Sequence, residues 1–229
     1  MSSYMDFFNA MGFVSPSDPT NTPYAFARGV KDMDFFTLLQ KDQKASKTFN
    51  EAMTSLKGHG KIGSSYDFGS LQVTSNDDVV LVDVDIKGKF VLQDLPSVIE
   101  AGERVCPPDV EVQPYNFFTQ VQPVKGAVAY LYKCILHDWP DAECTTILQN
   151  LAPAMRGYNS KLLICDVVIS DTRPDAQKVL YDINMIFLAG KERSVKQWER
   201  LLRGGGFRIE RIVGLENPGT SIIEAVLIE

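Results

Sequence analysis

Four short, largely apolar runs set the frame for this chain: 79–84 (VVLVDV), 89–95 (KFVLQDL), 127–136 (AVAYLYKCIL) and 161–169 (KLLICDVVI). Runs of this length that can be buried on both faces read as parallel strands inside a helix-covered sheet. Helical stripes follow the later ones. Cys144, Ile147, Leu148 and Leu151 recur at helical spacing, with Pro140 suited to a first turn. A second helix is expected over about 175–189, and a third from Ser194, where Gln197 completes a capping box, to the glycines at 204–206. The end of the chain, FRIERIVG and SIIEAVLIE around Asn217-Pro218-Gly219, reads as two antiparallel strands. The expectation is an α/β fold: an open, mostly parallel sheet covered by helices and closed by an antiparallel hairpin.

The first 60 residues follow a different rhythm. MDFFTLLQ and QKASKTFNEAMTSLK are amphipathic helical pieces, and the turn-rich SPSDPTNTP (15–23) sets the extreme N-terminus apart. We divide the chain into a helical segment 1–60, a connector 61–78 and an α/β domain 79–229; His59, in the polar KGHGK stretch that leads into the connector, reads as exposed. With 29 acidic and 23 basic residues the net charge is −6, which disfavours nucleic acid or an anionic membrane as partner. No run approaches the roughly 18 apolar residues of a membrane span, and MSSYMDFFNAMGF lacks a basic region and a cleavage site. A cytoplasmic protein is expected. Cys106, Cys134, Cys144 and Cys165 form no CxxC pair, so disulfides and a metal are not expected.

LYKCILHDWPDAEC, ILQNLAPAM, KLLICDVVISD, YDINMIFLAGKERSVKQWERLL, GGGFRIERI and SIIEA follow one another in one characteristic order and spacing. In this the chain resembles the S-adenosylmethionine-dependent O-methyltransferases of plant and fungal secondary metabolism, the caffeic-acid and flavonoid type, and is most similar to the fungal branch. The resemblance implies a Rossmann-like methyltransferase sheet. It makes His137 the general base that takes a proton from a substrate hydroxyl, with Asp166 and Glu192 flanking and orienting it. Asp166 stands where the family more often has a glutamate. Placement after a strand end and an imidazole of near-neutral pKa both suit that role. Asp138 and Trp139 of the same motif, with Asp182 and Met185 of YDINMIF, match the acceptor pocket, which the resemblance makes apolar and of aromatic size. The glycine triplet follows a helix and precedes a strand, so it reads as a helix stop rather than a phosphate loop.

The chain departs from the family at the cofactor. There the first strand runs into a glycine loop and a helix before the second strand; here only Asp85, Ile86, Lys87 and Gly88 separate 79–84 from 89–95. Adjacent parallel strands need a crossover of about a dozen residues or more, whereas a four-residue link permits a hairpin. Runs 79–84 and 89–95 are therefore expected to form a hairpin, to lose one strand, or to exchange one with a second molecule. The remaining cofactor positions implied by the resemblance are Asp94 for the ribose hydroxyls, Asn116 and Phe117 beside the adenine, and Lys133. Asn116 replaces an aspartate. Only the last helices of the family's N-terminal dimerisation domain are recognisable, near 22–57, which opens the pocket and favours a non-standard oligomer.

Three functions fit these residues. The favoured one is an acid/base enzyme performing dehydration, isomerisation or cyclisation on a small aromatic or polyketide-like molecule, with S-adenosylmethionine weakly bound or absent. The alternatives are an active O-methyltransferase with an unusual cofactor site, and a non-catalytic pseudoenzyme that pairs with a pathway protein.

Overall fold

The computed structural model describes residues 2–55, 66–71, 88–102 and 106–228. Along the chain its strands are β1 (Phe90–Asp94), β2 (Val110–Pro114), β3 (Ala129–Lys133), β4 (Lys161–Asp166), β5 (Val168–Ile169), β6 (Arg193–Ser194), β7 (Phe207–Val213) and β8 (Ser221–Leu227). Its α-helices are α1 (Ser2–Met11), α2 (Pro23–Ala27), α3 (Phe35–Lys41), α4 (Gln43–Ser55), α5 (Pro96–Gly102), α6 (Asp141–Met155), α7 (Ala176–Met185) and α8 (Val195–Gly204). None of the described helices is long and apolar enough to cross a membrane.

Strand β4 is apolar throughout because both its faces are covered. Leu162 and Ile164 join Ile147, Leu148, Leu151, Trp198 and Phe207 under α6 and α8, while Leu163 and Cys165 meet Tyr66, Phe68 and Leu71 on the opposite face. It pairs parallel to β3 and antiparallel to β8, which pairs antiparallel to β7, giving the order β3-β4-β8-β7. The expected C-terminal antiparallel pair is thus present, with an irregularity between Ile209 and Arg211. The run 161–169 breaks after Asp166, and its tail, β5, pairs parallel with β6.

Strand β1 pairs parallel with β2, Phe90 opposite Val110 and Asp94 opposite Pro114. The sequence reading did not single out β2. Its alternation of Val110 and Val112 with Glu111 and Gln113 was the available signal, weakened by its half-exposed side chains and the closing proline. Gln93 donates to Gln113 within the pair (2.6 Å) and to Gln122 beyond it (3.0 Å), and the Gln122 N–H donates to the Asn150 carbonyl on α6 (2.9 Å), which ties the pair to the remainder. Residues 79–84, and with them the hairpin-or-exchange question, lie outside the described residues, as does His59.

The helices follow their capping chemistry. Asp141 and Glu143 place negative charge in the first turn of α6, with Pro140 just ahead of that turn at the N-cap. Gln197 returns its side-chain oxygen to the Ser194 N–H at 2.8 Å to start α8. The stop at Gly204–Gly206 holds Gly206 at φ +89°, a conformation that favours glycine.

The N-terminal helices are not set apart as the turn-rich stretch suggested. Phe7 of α1 is buried edge-on to Phe26 at 5.7 Å, and Tyr4 lies 4.6 Å from Phe187. Phe35 and Leu39 of α3 bury with Leu188, and Phe36 packs 5.4 Å from Trp139. Part of the connector is also structural: Tyr66 donates to Glu224 of β8 at 2.8 Å, and Arg211 (2.7 Å) and Lys161 (3.1 Å) pair with the same carboxylate. Burial alone would raise the Glu224 pKa; the hydrogen bonds from Tyr66, Arg211 and Lys161 outweigh it and hold it below the usual value.

Trp198 is fully buried between sheet and α6, with the Arg193 guanidinium 5.2 Å from its ring. Trp198→Ala is expected to destabilise the fold by about 3–5 kcal/mol. Urea unfolding followed by far-ultraviolet circular dichroism would measure the loss.

Candidate active site

Beyond Lys133, strand β3 turns sharply. Cys134 adopts φ +52°, its N–H donates to the Cys165 carbonyl on β4 (3.0 Å), and a 3-10 turn over Leu136–Asp138 leads into α6. The turn carries His137 past the carboxyl ends of β3 and β4, where open α/β sheets bind their ligands. A second segment, from Gly190 to Arg193, locks it from above. The Lys191 N–H donates to the His137 carbonyl (2.9 Å), and a Cβ added at Gly190 would collide with that oxygen, so only glycine fits there. Arg193, fully buried, donates to the carbonyls of Leu136 and Trp139, both at 2.8 Å, and to Asp141. Lys191 reaches the other Asp141 oxygen at 2.8 Å. That the arginine of AGKER builds the turn is a role the motif alone does not reveal; the available signal is a cation next to a capping serine at the head of an apolar-striped helix.

The structure brings His137, Asp166 and Glu192 close together. His137 Nδ1 lies 3.0 Å from Glu192 Oε1, and Nε2 lies 3.5 Å from Asp138 Oδ1. Asp166, the last residue of β4, is fully buried, and among the described residues neither of its oxygens has a hydrogen-bond partner; Glu192 Oε2 also lacks one there. Burial lowers the affinity of His137 for its proton, yet Asp166, the Glu192 hydrogen bond and Asp138 together push its pKa up to about 10. Burial raises Asp166 to about 7 and Asp138 to about 6, each held back by His137 and pushed further by Glu192. The imidazole of near-neutral pKa that the sequence suggested is therefore replaced by an imidazolium, because carboxylates from three separate segments converge on it.

The other expected site residues fall into different settings. Trp139 is buried, packed edge-on against Phe118 at 4.7 Å and tilted against Phe36, so it serves the core rather than an open pocket. Asp182 accepts the Glu192 N–H at 2.8 Å and so holds the acid in place. Met185 is half-buried on the same helix, and its carbonyl receives the Gly190 N–H at 3.0 Å. Asp94 is exposed at the end of β1, its Oδ1 accepting the Leu95 N–H (2.7 Å). Asn116, just beyond β2, accepts from the Phe118 N–H (2.9 Å), beside a half-buried Phe117. Lys133 is exposed. Because β1 and β2 are paired neighbours, with the Tyr115 N–H on the Asp94 carbonyl (2.8 Å), Asp94 and the Asn116–Phe117 pair sit at one edge. Asp94, Asn116 and Phe117 thus lie together where the resemblance puts the adenosine half of S-adenosylmethionine. Residues 85–87, where the family's glycine loop would begin, lie outside the described residues.

Residues 86–208 match the family model described as an O-methyltransferase domain, more than half of the chain. The chain belongs to this O-methyltransferase family. Over 123 residues it is 50% identical to the O-methyltransferase agiB of Aspergillus flavus, covering 52% of this chain and 42% of that protein. The chain spans about half the length of the curated relatives it matches. Among solved structures, "A Pericyclic Reaction enzyme" superposes with a TM-score of 0.86 at 26% identity, covering all of this chain and 63% of that one. LepI in complex with S-adenosylmethionine gives the same TM-score, identity and coverage. The fold is that of these methyltransferase-like proteins, with a mostly parallel sheet and an antiparallel end.

The raised pKa of His137 sets a pH dependence. A proton bound more tightly in the folded than in the unfolded state stabilises fully below the unfolded pKa of about 6.5, and that stabilisation is lost as pH rises through about 10. The urea midpoint of the native chain is therefore expected to fall between pH 7 and 10.5, and to fall much less in His137→Gln. Parallel titration series on the two proteins would show it.

Proposed function

We propose that this chain catalyses proton transfer on a small aromatic or polyketide-like molecule (dehydration, isomerisation or cyclisation) without consuming a methyl donor. The observation that carries the reading is the geometry at His137, whose Nδ1 lies 3.0 Å from Glu192 and whose Nε2 lies 3.5 Å from Asp138, beside the buried Asp166, both of these carboxyl groups raised in pKa by burial. Groups that exchange protons near neutrality are the tools of general acid–base catalysis. His137 acts as the acid, giving its Nε2 proton to a departing hydroxyl or a developing enolate oxygen. Asp138 or Asp166 takes the proton released from carbon. Glu192 holds the ring and stays on Nδ1, with Asp182 holding Glu192 in turn.

The four-residue link between 79–84 and 89–95 supports weak or absent binding of S-adenosylmethionine, since the family's glycine loop and helix have no room there. The likeness to a pericyclic reaction enzyme supports chemistry other than methyl transfer on this scaffold. A second reading, methyl transfer, draws on the family and on agiB. In that case Asp94, Asn116, Phe117 and Lys133 would hold the cofactor, which supplies an electrophilic methyl group, and His137 would first have to surrender its proton.

Calorimetric titration with S-adenosylhomocysteine separates the two. No detectable binding, together with loss of water or isomerisation in a panel of hydroxylated polyketides and phenols without added cofactor, is the expected result. Micromolar binding and products heavier by one methylene would establish methyl transfer instead. Under either reading His137→Ala should reduce turnover at least about a hundredfold, and undiminished turnover in that variant would remove His137 from the chemistry.

A further inference from the structure

We propose a binding site for a small aromatic carboxylate at the amino ends of β3 and β4, the end of the sheet opposite His137. Among the described residues a cavity of about 490 Å³ opens there, a size that takes one small organic molecule. Its wall carries two cations, Lys161 at the start of β4 and Arg211 of β7, against one carboxylate, Glu224 of β8. Lys161 and Asp166 stand at the two ends of β4, roughly 16 Å apart along an extended strand. The cavity therefore shares no residue with the histidine site, and the inference does not rest on the proton-transfer reading.

The wall holds more donors than acceptors. Glu224 takes Tyr66 (2.8 Å) and Arg211 Nε (2.7 Å) on one oxygen and Lys161 (3.1 Å) on the other. Lys161 also donates to Glu210 at 2.9 Å. Besides its Glu224 bond, Arg211 has only a long contact among the described residues, from Nη2 to Ser70 Oγ at 3.3 Å. A guanidinium carries five N–H groups, so most of this fork is open to a ligand. The Tyr66 ring, 5.0 Å from the guanidinium, and Glu224 already hold it in place, which lowers the ordering needed on binding. A carboxylate, with two oxygens in one plane, matches such a fork. The independent observation is Ser160. It lines the same cavity and is 5% exposed, and its hydroxyl has no hydrogen-bond partner among the described residues. A bare buried hydroxyl is unfavourable, and rotation about its one side-chain bond can offer that donor to a ligand oxygen. The remaining lining suits a flat apolar body. The Tyr158 ring lies so close to Gly126, at φ +64°, that a Cβ there would collide with it, yet the residue stays 55% exposed. Leu71 and Ala127 are buried beside the same space. Aromatic and aliphatic walls select a ring, and the cations select its charged end.

The test is calorimetric titration of the full 229-residue chain with naphthoate, with its neutral analogue naphthamide, and with inorganic phosphate. One equivalent of naphthoate should bind, the amide and phosphate each at least about tenfold more weakly. Arg211→Gln should weaken naphthoate binding at least about tenfold, and His137→Gln should leave it unchanged. Because Arg211→Gln also removes a bond to Glu224, a variant that misfolds by circular dichroism is replaced by Tyr158→Ala. That change, at a half-exposed ring, should weaken binding at least about threefold. Absence of naphthoate binding, equal binding of the amide or of phosphate, undiminished binding in folded Arg211→Gln or in Tyr158→Ala, or loss of binding in His137→Gln would overturn the assignment.

Discussion

A single buried guanidinium organises the functional end of this molecule. Arg193 reaches from the head of α8 to the carbonyls of Leu136 and Trp139 on either side of the histidine turn, and to Asp141 at the start of α6. A turn that ends a strand leaves carbonyl groups with no ladder or helix partner, and burying them bare would be costly. The arginine satisfies two of them with one planar fork, a geometry that lysine cannot supply. Its neighbours Lys191 and Gly190 close over the His137 carbonyl, so the position of the imidazole is a main-chain matter before it is a side-chain one.

With the turn in place, the electrostatics follow from topology. Asp138 belongs to the turn, Asp166 to the end of β4, and Glu192 to the segment that carries Arg193. They are distant in sequence and are drawn together because β3 and β4 are parallel neighbours and β5 pairs with β6. Removing three carboxylates from water raises the cost of their charges, and the cheapest relief is a proton kept on His137. The tight hold of His137 on its proton arises here from crowding, with no special donor required.

The parts of the fold legible in the sequence were those whose signals are local. The apolar run of β4, the capping glutamine of α8, the glycine stop and the closing hairpin each announce themselves within a few residues. Strand β2 was missed because it is short, half-exposed and closed by a proline. The docking of α1 was missed because Phe7 and Tyr4 find their partners across a turn-rich gap. At the site, His137, Asp166 and Glu192 were visible through the resemblance, but the charge on the imidazole was not, since it depends on three segments meeting. Trp139 was read as a pocket residue and turned out to be core, because the helices before residue 60 supply Phe36 as its cover.

Tyr66 and Glu224 are 158 positions apart. Their hydrogen bond closes a very long loop, and the entropy of loop closure sets such a contact behind the nearer ones. Strands β3 and β4, neighbours joined through α6, can pair without it. The face covered by Tyr66, Phe68 and Leu71 instead waits for β8 to arrive. One side of this sheet is sealed by local pairing, the other by a meeting of distant parts of the chain.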